Sequence, residues 1–451
     1  MLFFFLLTAS AFAGMWLLRF FRGNFYRLAE NTLATLDVML SSADDDEKLE
    51  LMQRYTGKMV VYLLLVVLLL AVAVLIIISP YHIPDLSSLP AWAEVLAISL
   101  GASLPFFVPL PKSASGYSEP AKLLHRLVLN NYALQLKLFK RELKKVQGKA
   151  KDERFIIVSG LARAGTTSLM NVLAENQQLK SLHYGQMPFL LSPNTWSRIY
   201  KPKGKKELER SHKDGIKISL RSNEALEEHF FKAITGDRFI GDETITQHQV
   251  SSEEYAHYLN YQKLVAKDTS SIYLAKNNNF ILRYRAFRKF NDKFCFIILF
   301  RHPLYHAASL LEKHKQYIQL QSEDPFVLEY MDWLGHHEFG QNHKWFSLDG
   351  SQPPQESKDS LDYWLQVWIN YYQYAQNIEH TNSIFIDYQD FCERPKQTLE
   401  VVQQRFPELS SQATVSSFSN PRKVELAHDQ KLLQTALKIY ENLQAKVRSG
   451  R

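Results

Sequence analysis

Cysteine is almost missing from this chain: 451 residues hold two, Cys295 and Cys392. Two cysteines cannot make a disulfide framework, and their scarcity fits a reducing compartment. The Asn-x-Ser/Thr glycosylation signal is absent altogether, which weighs against a secretory lumen. No cluster of His, Cys, Asp or Glu has the spacing of a metal site. Glycine and proline number 17 each, in a chain that is 46% hydrophobic and 22% charged. That composition excludes a collagen-like or largely disordered chain, and the length allows roughly two to three domains.

The net charge of +7 is unevenly spread. Residues 1–151 carry 16 Lys/Arg against 11 Asp/Glu, while the remaining 300 carry 37 against 35. A nucleic-acid-coating protein puts its basic excess on the folded domain, so no nucleic-acid partner is expected. The basic excess instead accompanies long apolar runs. Met59–Ser79 is 21 residues without a charge, enough to cross a hydrocarbon core of roughly 30 Å as a helix. Leu2–Leu18 is a second apolar run, bounded by Arg19, Arg22 and Arg27. It has the look of a signal peptide but no basic residue before it, so it is read as a retained span. Ala91–Pro111 is a third candidate, with Glu94, Pro105 and Pro109 also compatible with a re-entrant or interfacial segment.

These readings place a membrane region at 1–111, with spans near 2–18, 59–79 and 91–111. The loop between the first two spans holds Arg19, Arg22, Arg27, Lys48, Arg54 and Lys58, while Pro80–Pro90 holds no Lys or Arg. The positive-inside rule puts the first loop in the cytosol, and three spans put the C-terminal domain there too. Two spans would put it on the other side. Residues 112–151 read as a basic juxtamembrane helix or linker. Lys137, Lys140, Arg141, Lys144, Lys145, Lys149 and Lys151 suit either anionic lipid headgroups or a solvated face.

A different material begins at 152. Phe155–Val158 is a short β-branched run of the kind found in buried parallel strands. Gly160 and Gly165 follow at the G-x-x-x-x-G spacing of a phosphate-binding loop, and a helical pattern starts after Ser168. Strand, glycine-bounded loop and helix direct backbone N–H groups at an anion. A nucleotide hydrolase would carry Lys after Gly165, where Thr166 stands. It would also end a second buried strand in a magnesium-holding Asp. The run Phe294–Phe300 ends in Arg301 instead, with Ser309 eight residues on. Arg and Ser suit a second anionic group on the ligand. The fold expected is α/β, a P-loop-like parallel sheet flanked by helices over 152–451, preceded by the two or three membrane helices.

Ala162-Arg163-Ala164-Gly165-Thr166-Thr167, Arg301 with Ser309, Tyr273-Leu274-Ala275-Lys276-Asn277-Asn278, and Ile386–Phe391 followed by Pro395 stand in this order. Together they resemble the motifs of sulfotransferases that use 3′-phosphoadenosine 5′-phosphosulfate (PAPS), in particular the bacterial carbohydrate type. The resemblance runs from about 152 to near the C-terminus and leaves out the membrane region. Ala162 stands where the family has Pro, and Ala164 where it has a hydroxyl residue. The resemblance implies PAPS as co-substrate and no required metal. It assigns Arg163 to the bridging oxygen. Ala164, Gly165, Thr166, Thr167 and Ser168 line the 5′-phosphosulfate, and Arg301 and Ser309 take the 3′-phosphate. Lys276 is a further cation for the transferring group. Arg422 and Lys423 suit either a loop closing on the 3′-phosphate or a plain surface pair.

A general base is harder to pick. His183, His212, Asp214, Glu227, Glu228 and His229 are candidates. Glu224–Ile234 reads as a helix on which Glu228 pairs with Lys232 at i,i+4. That leaves Glu227 as the preferred catalytic carboxylate. Tyr363, Trp364, Trp368, Tyr371 and Tyr372 recur at helical spacing and read as core.

The function expected is sulfuryl transfer from PAPS to a hydroxyl, or an amine, of a glycan or lipid-linked glycan. The expected setting is the bacterial inner membrane, with membrane lipids as partners. A P-loop nucleotide kinase or NTPase, and an inactive membrane scaffold of the same fold, are the alternatives.

Overall fold

The computed structural model describes residues 1–40, 45–84, 89–108, 117–146, 153–199, 208–209, 217–218, 225–266, 271–378, 382–407 and 426–449. The chain divides into two compact units, Met1–Asn131 and Tyr132–Arg451.

The first unit is helical. Leu2–Phe20, Gly23–Leu40, Asp45–Ile78, Ala91–Ser103 and Glu119–Leu129 are its α-helices. Two of them are long and apolar enough to cross a membrane. The helix expected at 59–79 begins earlier, at Asp45. Its 34 residues span about 51 Å at 1.5 Å per residue, so its polar first part extends past any hydrocarbon layer. The segment expected as a loop between spans is therefore largely helical. Leu63, Leu64, Val67, Leu68 and Leu75 face outward and are exposed, the reverse of a soluble core helix. The third candidate is shorter than the other two: helix to Ser103, then a 3-10 turn over Leu104–Phe107. A Cβ on Gly101 would lie 2.1 Å from the Thr8 carbonyl oxygen. Glycine is what lets those two helices approach backbone to backbone, as in membrane helix packing.

The second unit opens with helix Tyr132–Leu143, which the sequence reading had grouped with a linker. Its Gln135, Phe139 and Glu142 are buried. Phe139 packs edge-on against Phe230 and Tyr261. Glu142 accepts hydrogen bonds from the backbone N–H groups of Asn194 and Thr195. Lys137, Lys140 and Arg141 thus ride a helix whose other face is core, while Lys149 and Lys151 lie outside the described residues.

The centre of this unit is a five-stranded, all-parallel sheet: β1 Phe155–Ser159, β2 Leu179–Lys180, β3 Ile272–Lys276, β4 Cys295–Phe300 and β5 Ser383–Asp387. Their spatial order is β2-β3-β1-β4-β5. Register pairs Ile156 with Leu274 on one side and with Cys295 on the other. β1, β3, β4 and β5 are buried along their whole length. Helices on both faces cover a parallel sheet, which is why these strands read as unbroken apolar runs. One face carries Ile156, Val158, Leu274, Ile297, Leu299 and Ile386 against helix Thr166–Ala174. The other carries an aromatic layer in which Phe155 stacks on Phe294, and Phe287 meets Tyr258 and Phe280. The chain leaves β1 toward one edge and later returns past it toward the other. That reversal opens a crevice outside the carboxyl ends of the central strands, where ligands of open α/β sheets bind.

Candidate active site

Four elements deliver polar groups to that carboxyl edge. After β1 the chain turns through the glycine-bounded loop into helix Thr166–Ala174. Arg163 adopts φ +72° and Gly165 φ +97°, left-handed values that glycine takes freely and that cost a residue with a Cβ such as Arg163. A Cβ on Gly165 would lie 2.2 Å from the ring of Tyr388, so the ring lies directly against the loop. The helix N-terminus leaves its first backbone N–H groups free of intrahelical partners. Thr166 at that terminus is buried. Ala164 is fully buried within the apolar cluster of β1 and helix Thr166–Ala174.

Lys276 closes β3, and its Nζ donates to Thr167 Oγ1 over 2.7 Å. Asn277 follows, its backbone N–H donating to the Val158 carbonyl at 2.9 Å. Arg301 closes β4, and its guanidinium lies 5.4 Å from the ring centroid of Tyr388. Ser309 sits two turns into helix Pro303–Glu323 and accepts from Arg163 Nε at 3.3 Å. From the same helix His306 donates through Nε2 to the Ala162 carbonyl, 2.7 Å away. Burial pushes the His306 imidazole down to about 3, so it is neutral and its tautomer is set by that carbonyl.

The sequence-predicted residues therefore fall into two groups of cations. Lys276 stands with Thr167. Arg163, assigned by resemblance to the bridging oxygen, donates to Ser309. Gly165 caps the helix that follows the loop, and Ser168 stands in its first turn. The aromatic stripe is core, as expected, and its polar tips brace the site. Trp368 Nε1 donates to the Arg301 carbonyl at 3.2 Å, and Tyr372 Oη to that of Leu299 at 2.8 Å. Asp387, at the end of β5, accepts from Tyr440 Oη and Gln444 Nε2, each at 2.8 Å.

Glu227 is not with them. Along β3, Ile272 and Leu274 face helix Thr166–Ala174, and Lys276 continues that face. Tyr273 and Asn277 point the opposite way, and these are the residues that bond Glu227, at 3.3 and 3.2 Å. Tyr258 donates to it as well. Glu227 is thus 1% exposed, on the other face of the sheet from the loop. Burial pushes its carboxyl up to about 7, against the pull of Tyr258, Asn277 and Arg283.

Glu228 is no surface partner of Lys232. It makes a bidentate pair with the fully buried Arg283, both contacts at 2.6 Å, and Lys232 turns to Asp237 at 3.5 Å. The helix here runs Glu228–Thr235 and is nearly all buried. His229 spends both ring nitrogens, on the Trp333 carbonyl at 2.6 Å and on Gln135 at 3.0 Å. His212, Asp214, Arg422 and Lys423 lie outside the described residues.

Sequence reasoning gave no role to His306 or Glu338, and named Tyr388 and Asn278 only within the motifs they belong to. His306 follows Arg301 by five residues, one helical turn beyond His302, a spacing that carries a signal. Glu338 lies between Trp333 and Trp345 in a stretch without regular secondary structure, where no period marks which side chains turn inward.

No protein-family model matches the chain, and no curated protein matches it. Two solved structures are similar. The sulfotransferase STF1 from Mycobacterium tuberculosis H37Rv is 14% identical with a TM-score of 0.36, over 84% of this chain and 90% of that one. The sulfotransferase STF9 from Mycobacterium avium is 13% identical with a TM-score of 0.41, over 80% of this chain and 93% of that one.

Proposed function

We propose that the chain is a membrane-anchored sulfotransferase that moves a sulfuryl group from PAPS to a hydroxyl, or an amine, of a glycan or lipid-linked glycan. The observation that carries this reading is the spread of cations along the carboxyl edge of the sheet. Lys276 stands at the phosphate-loop helix, with Ser309 on helix Pro303–Glu323 and Arg301 just after β4, where a magnesium-dependent hydrolase would hold a carboxylate. A donor with an anionic group at each end matches two such stations.

The donor fits the residues present. The loop after β1 and the helix N-terminus at Thr166 offer backbone N–H groups to a phosphosulfate. Sulfuryl transfer is an in-line displacement in which charge grows on the leaving oxygen. Lys276, held by Thr167, supplies a fixed cation for that charge without reorganising at the moment of reaction. Arg301 and Ser309 hold the 3′-phosphate, with Arg163 braced beside them. The neutral His306 holds the loop after β1 at the Ala162 carbonyl, and the indole of Trp368 holds the Arg301 carbonyl.

The two long apolar helices suit a bilayer anchor, and the six Lys/Arg between them, against none in Pro80–Pro90, suit a cytosolic face of a bacterial inner membrane for that segment. An anchor favours an acceptor that is itself at the membrane.

Titration of the full-length protein in detergent with 3′,5′-adenosine bisphosphate and with ATP, each with and without magnesium, tests the donor. Metal-independent binding of the bisphosphate, weakened by Arg301→Ala, is the expected result. Preference for ATP with magnesium would overturn it in favour of a nucleotide kinase or NTPase.

A further inference from the structure

Helix Leu2–Phe20 packs against both Asp45–Ile78 and Ala91–Ser103, and its contacts give each partner a direction. Phe3 meets Tyr81 edge-on, Ser10 Oγ lies 3.2 Å from the Ile77 carbonyl, and a Cβ on Gly14 would lie 2.9 Å from the Ala73 carbonyl oxygen. Asp45–Ile78 therefore runs antiparallel to the first helix. The third segment runs the other way. Leu89 packs against the cluster of Phe3, Leu7 and Ala97, Gly101 lies against the Thr8 carbonyl, and the Phe106 ring centroid is 5.8 Å from the Arg19 guanidinium. Ala91–Phe107 thus follows Leu2–Phe20 from one end to the other, a height of about 28 Å at 1.5 Å per residue. Its one charge, Glu94, sits in the first turn and accepts from Tyr81 Oη at 3.0 Å, at the end shared with Phe3. No charge follows from Val95 to Pro111.

The next helix shows where the chain emerges. Gly23–Leu40 packs farther back along Asp45–Ile78, away from Ile77 and Tyr81, and there Arg27 donates to Tyr62 Oη at 3.1 Å. Helix Glu119–Leu129 packs on Gly23–Leu40, and Arg126 pairs with Glu30. A segment that dipped into the layer and turned back would leave Glu119–Leu129 on the Tyr81 side, at the opposite end. The second unit begins at Tyr132. Asn130 and Asn131, which join it to that helix, are too few to cross a layer of roughly 30 Å.

We propose that Ala91–Phe107 is a complete third crossing, parallel to the first, and that the chain enters its second unit on the same side as the Arg19–Lys58 segment. The six Lys/Arg of that segment make this side the cytosol. For the transfer proposed above, on whose reading this consequence rests, the acceptor presents its hydroxyl at the cytosolic leaflet.

Single cysteines in the full-length chain test the crossing, probed with a membrane-impermeant maleimide in bacterial spheroplasts. Cys295 and Cys392 are buried and give a low background. His82, Glu50, Ser118 and Glu356 are exposed. His82→Cys should label from outside. Glu50→Cys, Ser118→Cys and Glu356→Cys should label only once the membrane is permeabilised. Glu30→Cys with Arg126→Cys should lose both thiols to a crosslink on mild oxidation, while Glu30→Cys with His82→Cys should keep them. Labelling of positions 118 and 356 from outside together with position 82 would overturn the third crossing. Outside labelling of 50, 118 and 356 with 82 protected would overturn the cytosolic side. Neither result touches bisphosphate binding, and failure of that binding would remove the transfer reading without moving any of these labels.

Discussion

Lys276 donates to Thr167 across 2.7 Å, joining the end of β3 to the first turn of the helix that follows the phosphate loop. The contact makes the lysine a fixed charge. A preorganised cation of this kind is worth about 10²–10³ in turnover when it serves only the transition state. Lys276→Met should therefore lower kcat by about 10²-fold, with a much smaller change in bisphosphate affinity. Steady-state kinetics beside calorimetric titration separate the two. An equal loss in both would make Lys276 a binding residue only.

Gly165 and Tyr388 are the next pair. Gly165→Ala puts a methyl into the Tyr388 ring and a side chain at positive φ, so stability and bisphosphate binding should both fall. Tyr388→Ala in the same chain should restore part of the stability, because it removes the collision and leaves the backbone penalty. Thermal unfolding of the single and double variants reads this directly. A double variant no more stable than Gly165→Ala would assign the whole cost to the backbone.

The Glu228–Arg283 pair is buried and bidentate. Removing one partner of such a pair leaves an uncompensated charge and costs about 3–5 kcal/mol. Arg283→Met should show that loss in chemical denaturation. Arg283→Met with Glu228→Gln should be milder than the single change, since no charge is then stranded. Equal losses would mean that packing of Arg283 on Phe231, 3.9 Å from the ring centroid, matters more than charge.

Glu227 gives stability a pH dependence of known sign. Its carboxyl rises from 4.5 to about 7 on folding. Between those values the folded chain binds the extra proton. The contribution is full below about 4.5 and is lost as pH climbs through 7. The span corresponds to about 3 kcal/mol at 1.36 kcal/mol per unit. The buried histidines His306, His337 and His343, pushed down to about 3 by burial, act oppositely and lose stability as pH falls below 6.5. The difference between wild type and Glu227→Gln isolates the carboxylate. That difference should change across pH 4.5–7, and a flat one would mean that Glu227 is equally solvated in both states.

Much of the fold could be read from the residues in order. β1, β3 and β4 are continuous apolar runs because a parallel sheet is covered on both faces, and that burial leaves a local signature. The turns that follow them were equally legible, since a phosphate loop needs glycine where the backbone takes positive φ. Arg301 stood out at a strand end because charge placed beside buried strand is costly without a purpose, and the structure places it directly after β4. The long apolar helices announced themselves by length and purity alone.

Tertiary structure decided which of these side chains meet. Neighbours on β3 point to opposite faces of the sheet, so Lys276 reaches Thr167 while Asn277 reaches Glu227. A carboxylate chosen for lacking an i,i+4 partner was thereby carried to the face of the sheet opposite Lys276. Arg163 went to Ser309, 146 residues distant in sequence, through a helix whose angle no local pattern encodes. Glu338 came to Asn278 from a stretch with no period at all. Local sequence determines an element's type through short-range sterics and burial. The long-range packing of finished elements determines which groups share a site.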